Sequence, residues 1–181
     1  SYQAKEHIEL PEHLLIPGLI NNHTHTPMSL MRGLADDLPL MEWLNDHIWP
    51  AENRWVSESF VRTGGLLAMA EMLRAGTTTF NDMYFFPDVV AETAAQVGMR
   101  GHVGAVVFDF PSGWGQGPDE YFDKAEQLMA SLKHHPLITC QIGPHAPYTV
   151  SDDNLLRTLA YAERHDCQIN IHLHETEDEV Q

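Results

Sequence analysis

LLIPGLINNHTHT, residues 14–26, joins an apolar run to two histidines one residue apart. Its apolar residues, Leu14, Leu15, Ile16, Leu19 and Ile20, do not alternate with polar ones. That pattern suits a strand buried on both faces, as in a parallel sheet. Pro17-Gly18 and Asn21-Asn22 bend or end the strand where His23 and His25 emerge. Side chains two apart on a strand share a face, so two imidazoles at one strand end can grip a single metal ion. Imidazole suits Zn, Fe, Ni or Cu. A bare H-x-H is also compatible with two surface histidines in a loop, and it is the apolar run before it that favours the metal.

Outward from this stretch the chain alternates. Residues 27–56 form a long connection carrying Trp43, Trp49 and Trp55. A helix is expected over 57–75, with Phe60, Leu66, Leu67, Met69, Ala70 and Leu73 on its buried stripe and Gly76 as its stop. Strands are expected over 77–83, 100–108, 137–143 and 167–175. Helices are expected over 87–97, over 119–134 and from the Ser151 cap through Arg164, with Asp152 and Asp153 favourably placed in the last one's first turn. Such alternation gives βαβ units and a parallel sheet. The chemistry-bearing groups fall at the C-terminal ends of strands: His23 and His25, Asn81 and Asp82, His145, and residues 172–175. A (β/α)8 barrel builds its site at that face, whereas an open doubly wound sheet uses a crevice at a switch point. Residues from strands one, four and five converge more naturally in a closed barrel. No G-x-G-x-x-G or Walker loop is present.

Ten Lys plus Arg against 26 Asp plus Glu give a formal charge of −16 over 181 residues. Such a field repels phosphate backbones and anionic lipid, so neither nucleic acid nor a membrane surface is expected as a partner. No apolar run reaches the ~20 residues of a bilayer span. Cys140 and Cys167, with no short spacing, read as free thiols of a reducing, cytoplasmic compartment.

Taken in order, PGLINNHTH, RGLADDLPLMEWLNDHIWPAENRW, GPHAPYTVS and INIHLHETEDEV resemble the amidohydrolase superfamily. More narrowly they resemble its ATZ/TRZ branch and the 5-methylthioadenosine/S-adenosylhomocysteine deaminases within it. The resemblance implies a (β/α)8 TIM-type barrel with one divalent metal, zinc foremost and iron(II) as the alternative. It makes His23, His25 and His172 metal ligands and Glu175 the proton shuttle. His145 would touch the purine ring, and Glu52 would accept hydrogen bonds from the ribose hydroxyls. Residues 1–13 would end a segment linking from a small β-domain, and 14–181 would be the N-terminal part of the barrel, about its first five β/α units. A histidine after strand six and an aspartate after strand eight are expected beyond Gln181. A homo-oligomer, or the rest of the barrel, is the expected partner.

The residues alone leave alternatives open. On a regular strand His172 and His174 share a face, and only the family pattern selects His172. Glu175 also opens an acidic run (Glu175, Glu177, Asp178, Glu179) that could be merely solvated. Glu52 by itself would pass for a surface carboxylate, and His145 for a satisfied loop histidine. The leading expectation is hydrolytic deamination of an adenosine-type nucleoside such as 5′-methylthioadenosine. Related hydrolysis of a free nucleobase or triazine is the first rival, and a non-catalytic metal-binding module the second. No arginine lies between Phe108 and Lys124, where the family holds the 5′ substituent, so an uncharged 5′ group is expected.

Overall fold

In the computed structural model, which describes residues 3–181 (residue 178 by its backbone only), four parallel strands stand in sequential order. They are β1 (Leu19–Thr24), β2 (Thr77–Tyr84), β3 (Arg100–Val107) and β4 (Ile138–Pro144). Ahead of β2 lie α1 (Leu40–Glu42), α2 (Trp49–Trp55) and α3 (Glu58–Arg74). Helix α4 (Pro87–Val97) links β2 to β3, α5 (Pro118–Leu132) links β3 to β4, and α6 (Asp152–His165) follows β4, with a short α7 at Glu177–Val180. Such sequential parallel order with helical crossovers is that of a (β/α)8 barrel wall.

Local chemistry accounts for the element boundaries. Ser57 caps α3 by accepting from the Phe60 amide, and Gly98, at φ 79°, closes α4 in the left-handed conformation that glycine tolerates. The core lies between the sheet and its helices, with Val61, Met69, Phe80, Val90, Val103, Tyr121 and Ile138 among its fully buried side chains.

Four expectations are corrected. The run Leu14–Ile16 is not a buried strand: Leu14 and Leu15 are 87% and 100% exposed, and β1 starts only at Leu19. β1 is the edge of the sheet, so its apolar side chains have no cover among the described residues. The buried stripe of α3 is Val61, Gly64, Gly65, Ala68 and Met69, while Leu66, Leu67 and Leu73 are exposed. The cause is close packing: a Cβ on Gly64 would stand 2.4 Å from the Pro27 carbonyl oxygen, so only a small-residue face fits there. Residues 167–175 do not form a fifth regular strand. They run beside β4 through one bridge, Ile142 to Ile169, and the bonds Ile142 N–Gln168 O, Asn170 N–Ile142 O and His172 N–His145 O.

The fourth correction concerns the connection before α3. It is helical in part: a 3-10 turn over Thr26–Met31, then α1, a widened π turn over Trp43–Ile48, and α2 without a break. Pro50 explains the widening. It has no N–H to return to the preceding turn, and the Trp49 amide reaches back to the Leu44 carbonyl instead. No described helix is long and apolar enough to cross a membrane.

Candidate active site

At the C-terminal ends of the strands, a cavity of about 520 Å³ opens between the sheet and the helical connection. Three imidazoles meet there. Ligand atoms of His23, His25 and His172 lie within 4.8 Å of one another, and the Nε2 atoms of His25 and His172 are 3.2 Å apart. The backbone sets their tautomers. Nδ1 of His25 lies 2.5 Å from the Met83 carbonyl, and Nδ1 of His172 lies 2.8 Å from the His145 carbonyl. A carbonyl only accepts, so each Nδ1 carries the hydrogen and each Nε2 keeps its lone pair. Metal-binding histidines are held in this way by a partner on the far nitrogen.

The donor set fits a divalent cation. Two lone pairs facing each other repel unless a cation sits between them. Two imidazoles about 2.0–2.1 Å from one tetrahedral ion would stand roughly 3.3 Å apart, close to the spacing here. Burial pushes His25 down to about 4, and burial also lowers His23, with the neighbouring His172 adding to it. Burial thus favours the neutral form of His25 and His23, the form that ligates.

His174 stays out of the cluster. It takes φ 58°, a left-handed conformation rare for a residue with a Cβ, and this breaks the strand rule that would have set it beside His172. The next residue, Glu175, is exposed and accepts a 2.9 Å hydrogen bond from the Tyr148 hydroxyl. His145 stacks beside Phe108 with ring centroids 4.9 Å apart, and its Nδ1 lies 2.9 Å from the Thr149 hydroxyl. That hydroxyl gives its one hydrogen to the Ala146 carbonyl, so His145 donates from Nδ1 and keeps an acceptor at Nε2. Burial, then His172 and His25, hold His145 down at about 3.

Glu52 also lines this cavity, from α2. It accepts from the Tyr84 hydroxyl at 2.7 Å, and burial raises its carboxyl to about 7. Apolar walls come from Leu44, Ile48, Trp43, Trp49, Phe85, Phe108 and Phe110, and no Lys or Arg is among the lining residues described. The Gly/Pro-rich segment that contributes Phe110, Ser112 and Gly113 is fixed by the Tyr121 hydroxyl, which lies 2.8–2.9 Å from Phe110 O, Ser112 Oγ and Gly115 O.

All six candidate residues thus border one cavity or its imidazole cluster: His25, His172, Glu52, His145 and Glu175 in its lining and His23 in the cluster. Sequence reasoning missed Tyr84 and Tyr148, the phenols that orient Glu52 and Glu175. Tyr148 stands inside GPHAPY, three residues from His145, which was the one available signal.

The amidohydrolase family pattern matches residues 14–181, and the chain belongs to that family. It is 55% identical over 179 residues to a 5-methylthioadenosine/S-adenosylhomocysteine deaminase of Saccharophagus degradans, covering 99% of this chain and 40% of that protein. It is 51% identical over 180 residues to the protein of the same name from Teredinibacter turnerae, covering 99% and 41%. Among solved structures it matches a zinc-bound adenosine deaminase from Xanthomonas campestris with TM-score 0.88 and 51% identity, over 91% of this chain and 37% of that one. The chain therefore spans about two fifths of the length of these curated relatives.

Proposed function

We propose that the protein carrying this chain hydrolytically deaminates an adenosine-type nucleoside, 5′-methylthioadenosine foremost, to the inosine analogue and ammonia. The carrying observation is that one cavity sets Glu52, a hydrogen-bonded carboxyl suited to a ribose diol, beside a cluster of three imidazoles able to hold a metal. The names of the two bacterial relatives support the same reading. Residues 14–181 would be the N-terminal part of a metal-dependent barrel, and residues 1–13 the end of a segment linking from a small β-domain. The free cysteines Cys140 and Cys167 fit a reducing cytoplasmic setting.

His23, His25 and His172 would hold the ion, zinc foremost given their nitrogen donors and the zinc of the Xanthomonas structure. A bound divalent ion would supply a water made acidic enough to attack at neutral pH. The chain's own groups do the rest. Glu175, oriented by Tyr148, would deliver a proton to ring N1 as a water oxygen adds to C6. It would then move the proton of the new C6 hydroxyl to the amino nitrogen, so that C6=O forms as the C6–N bond breaks and ammonia leaves. His145 presents Nε2 to the purine edge, and Phe108 and the tryptophans exclude water around the ring. Glu52 accepts from the ribose hydroxyls, with Tyr84 fixing its rotamer.

A panel assay tests this reading. The zinc-loaded full-length protein should release ammonia from 5′-methylthioadenosine, 5′-deoxyadenosine and adenosine at ordinary enzyme rates. Free adenine, guanine and triazines should react at least about a hundredfold more slowly in kcat/KM, since they offer Glu52 no diol. A preference for a free base or triazine would replace the nucleoside reading with its first rival, and no turnover of any of them would favour a non-catalytic module.

A further inference from the structure

The chain leaves β1 and enters the 3-10 turn at His25, whose side chain is committed to the imidazole cluster and caps nothing. The first amide of that turn, Thr26 N–H, has no partner within the turn, as at every helix start. Thr26 is buried, so water does not satisfy it. Asp82, on β2 and only 2% exposed, supplies the acceptor: its Oδ1 lies 2.6 Å from Thr26 N. The same oxygen lies 2.9 Å from the Thr24 hydroxyl, whose single hydrogen is shared between this carboxylate and the Asn81 carbonyl at 2.7 Å. The β1–β2 ladder is irregular between Asn21 and Thr24, so ordinary pairing does not fix the backbone around His23. One carboxylate therefore grips the residues on both sides of His25, while Met83, next to Asp82, holds that ring's Nδ1.

We infer that Asp82 is a positioning residue of the metal site, clamping Thr24 and Thr26 so that His23 and His25 keep one ligating geometry. This rests on the reading that the three histidines hold a metal. Asp82 touches neither imidazole and acts through the backbone that carries them. Partners that orient metal-bound histidines typically change metal affinity by about 10–100-fold when removed, and a clamp on the ligand backbone is expected to act on the same scale.

The test is zinc affinity of the full-length protein, measured by competition with a chromophoric chelator, alongside the thermal midpoint of the metal-free form. Asp82→Ala should weaken zinc binding by about 10–100-fold. Asp82→Asn, which keeps an acceptor oxygen, should recover part of that loss. Thr24→Val removes one donor, leaves the carboxylate in place, and should weaken binding more than twofold. Because Asp82→Ala orphans a buried N–H, Thr24→Val decides the matter should Asp82→Ala not fold. Zinc affinity within twofold of the parent in the deciding variant, with only the thermal midpoint lowered, would overturn the assignment and leave Asp82 a purely structural group. His25→Ala serves as the control: unaltered zinc binding there would remove the metal reading itself, and the Asp82 inference with it.

Discussion

His25 and His172 face each other Nε2 to Nε2 across 3.2 Å although 147 residues separate them in the chain. Each is held from behind by a backbone carbonyl, Met83 for one and His145 for the other. The two carbonyls belong to β2 and to the turn after β4, so the sheet itself sets the spacing of the nitrogens.

Metal content should follow that geometry. Alanine at His23, His25 or His172 is expected to collapse occupancy in the full-length protein, whereas His174→Ala should retain it. Elemental analysis of the purified variants decides. Loss for His174→Ala with His172 dispensable would reverse the assignment.

Glu175→Gln keeps the size of the side chain and its contact to Tyr148 but cannot exchange a proton. Because general acid–base groups contribute about 10²–10⁴-fold, kcat should fall by that order with metal still bound. Tyr148→Phe frees the carboxylate rather than removing it, so a smaller fall in kcat with little change in KM is expected. A loss under tenfold for Glu175→Gln would place the proton transfer elsewhere.

Specificity should rest on Glu52 and on the missing cation. Charged hydrogen bonds are worth about 1.5–3 kcal/mol, so Glu52→Gln should raise KM for nucleosides by about 10–100-fold. With no Lys or Arg among the described lining residues, kcat/KM for 5′-methylthioadenosine should exceed that for S-adenosylhomocysteine, whose 5′ group ends in an amino acid. The opposite order would show that the 5′ pocket is completed by a cation.

Stability should carry the signature of Glu52. Its carboxyl sits at about 7 when folded, raised from 4.5 by burial, with the Tyr84 bond opposing the rise. Between those values Glu52 is more protonated in the folded chain than in the unfolded one, so its own contribution to stability falls as pH rises through that window and levels off above it. Glu52→Gln should abolish this decline. Chemical denaturation at about pH 5 and about pH 8, parent against variant, measures it. A parent and variant that track each other across the window would mean that Glu52 titrates normally.

The helix stop at Gly76 and the strands β2 and β3 were legible because short-range chemistry sets them, whereas the side chain of the expected Ser151 cap accepts from no backbone N–H of α6. That His23 and His25 would meet a histidine from residues 172–174 was legible from their place at strand ends, while His172 itself was selected only by the family resemblance. What periodicity could not show was which face of α3 is buried, since Gly64 packs on Pro27 by virtue of having no side chain. The His172 and His174 ambiguity was likewise closed by a backbone dihedral at His174 that no pattern announces. Tyr84, Tyr148 and Asp82 act through partners 27 to 58 residues away, so even where a strand end or GPHAPY marks the residue, no local spacing shows its partner.

The central claim is that one metal ion on three histidines serves a nucleoside deaminase. Zinc titrated into the metal-free full-length protein, with ammonia release from 5′-methylthioadenosine as the readout, tests it most directly. The expected result is activity that rises linearly and breaks at one zinc per chain, with no such rise in His172→Ala. Full activity without metal, a break at two zinc ions per chain, or no ammonia at any zinc concentration would contradict it.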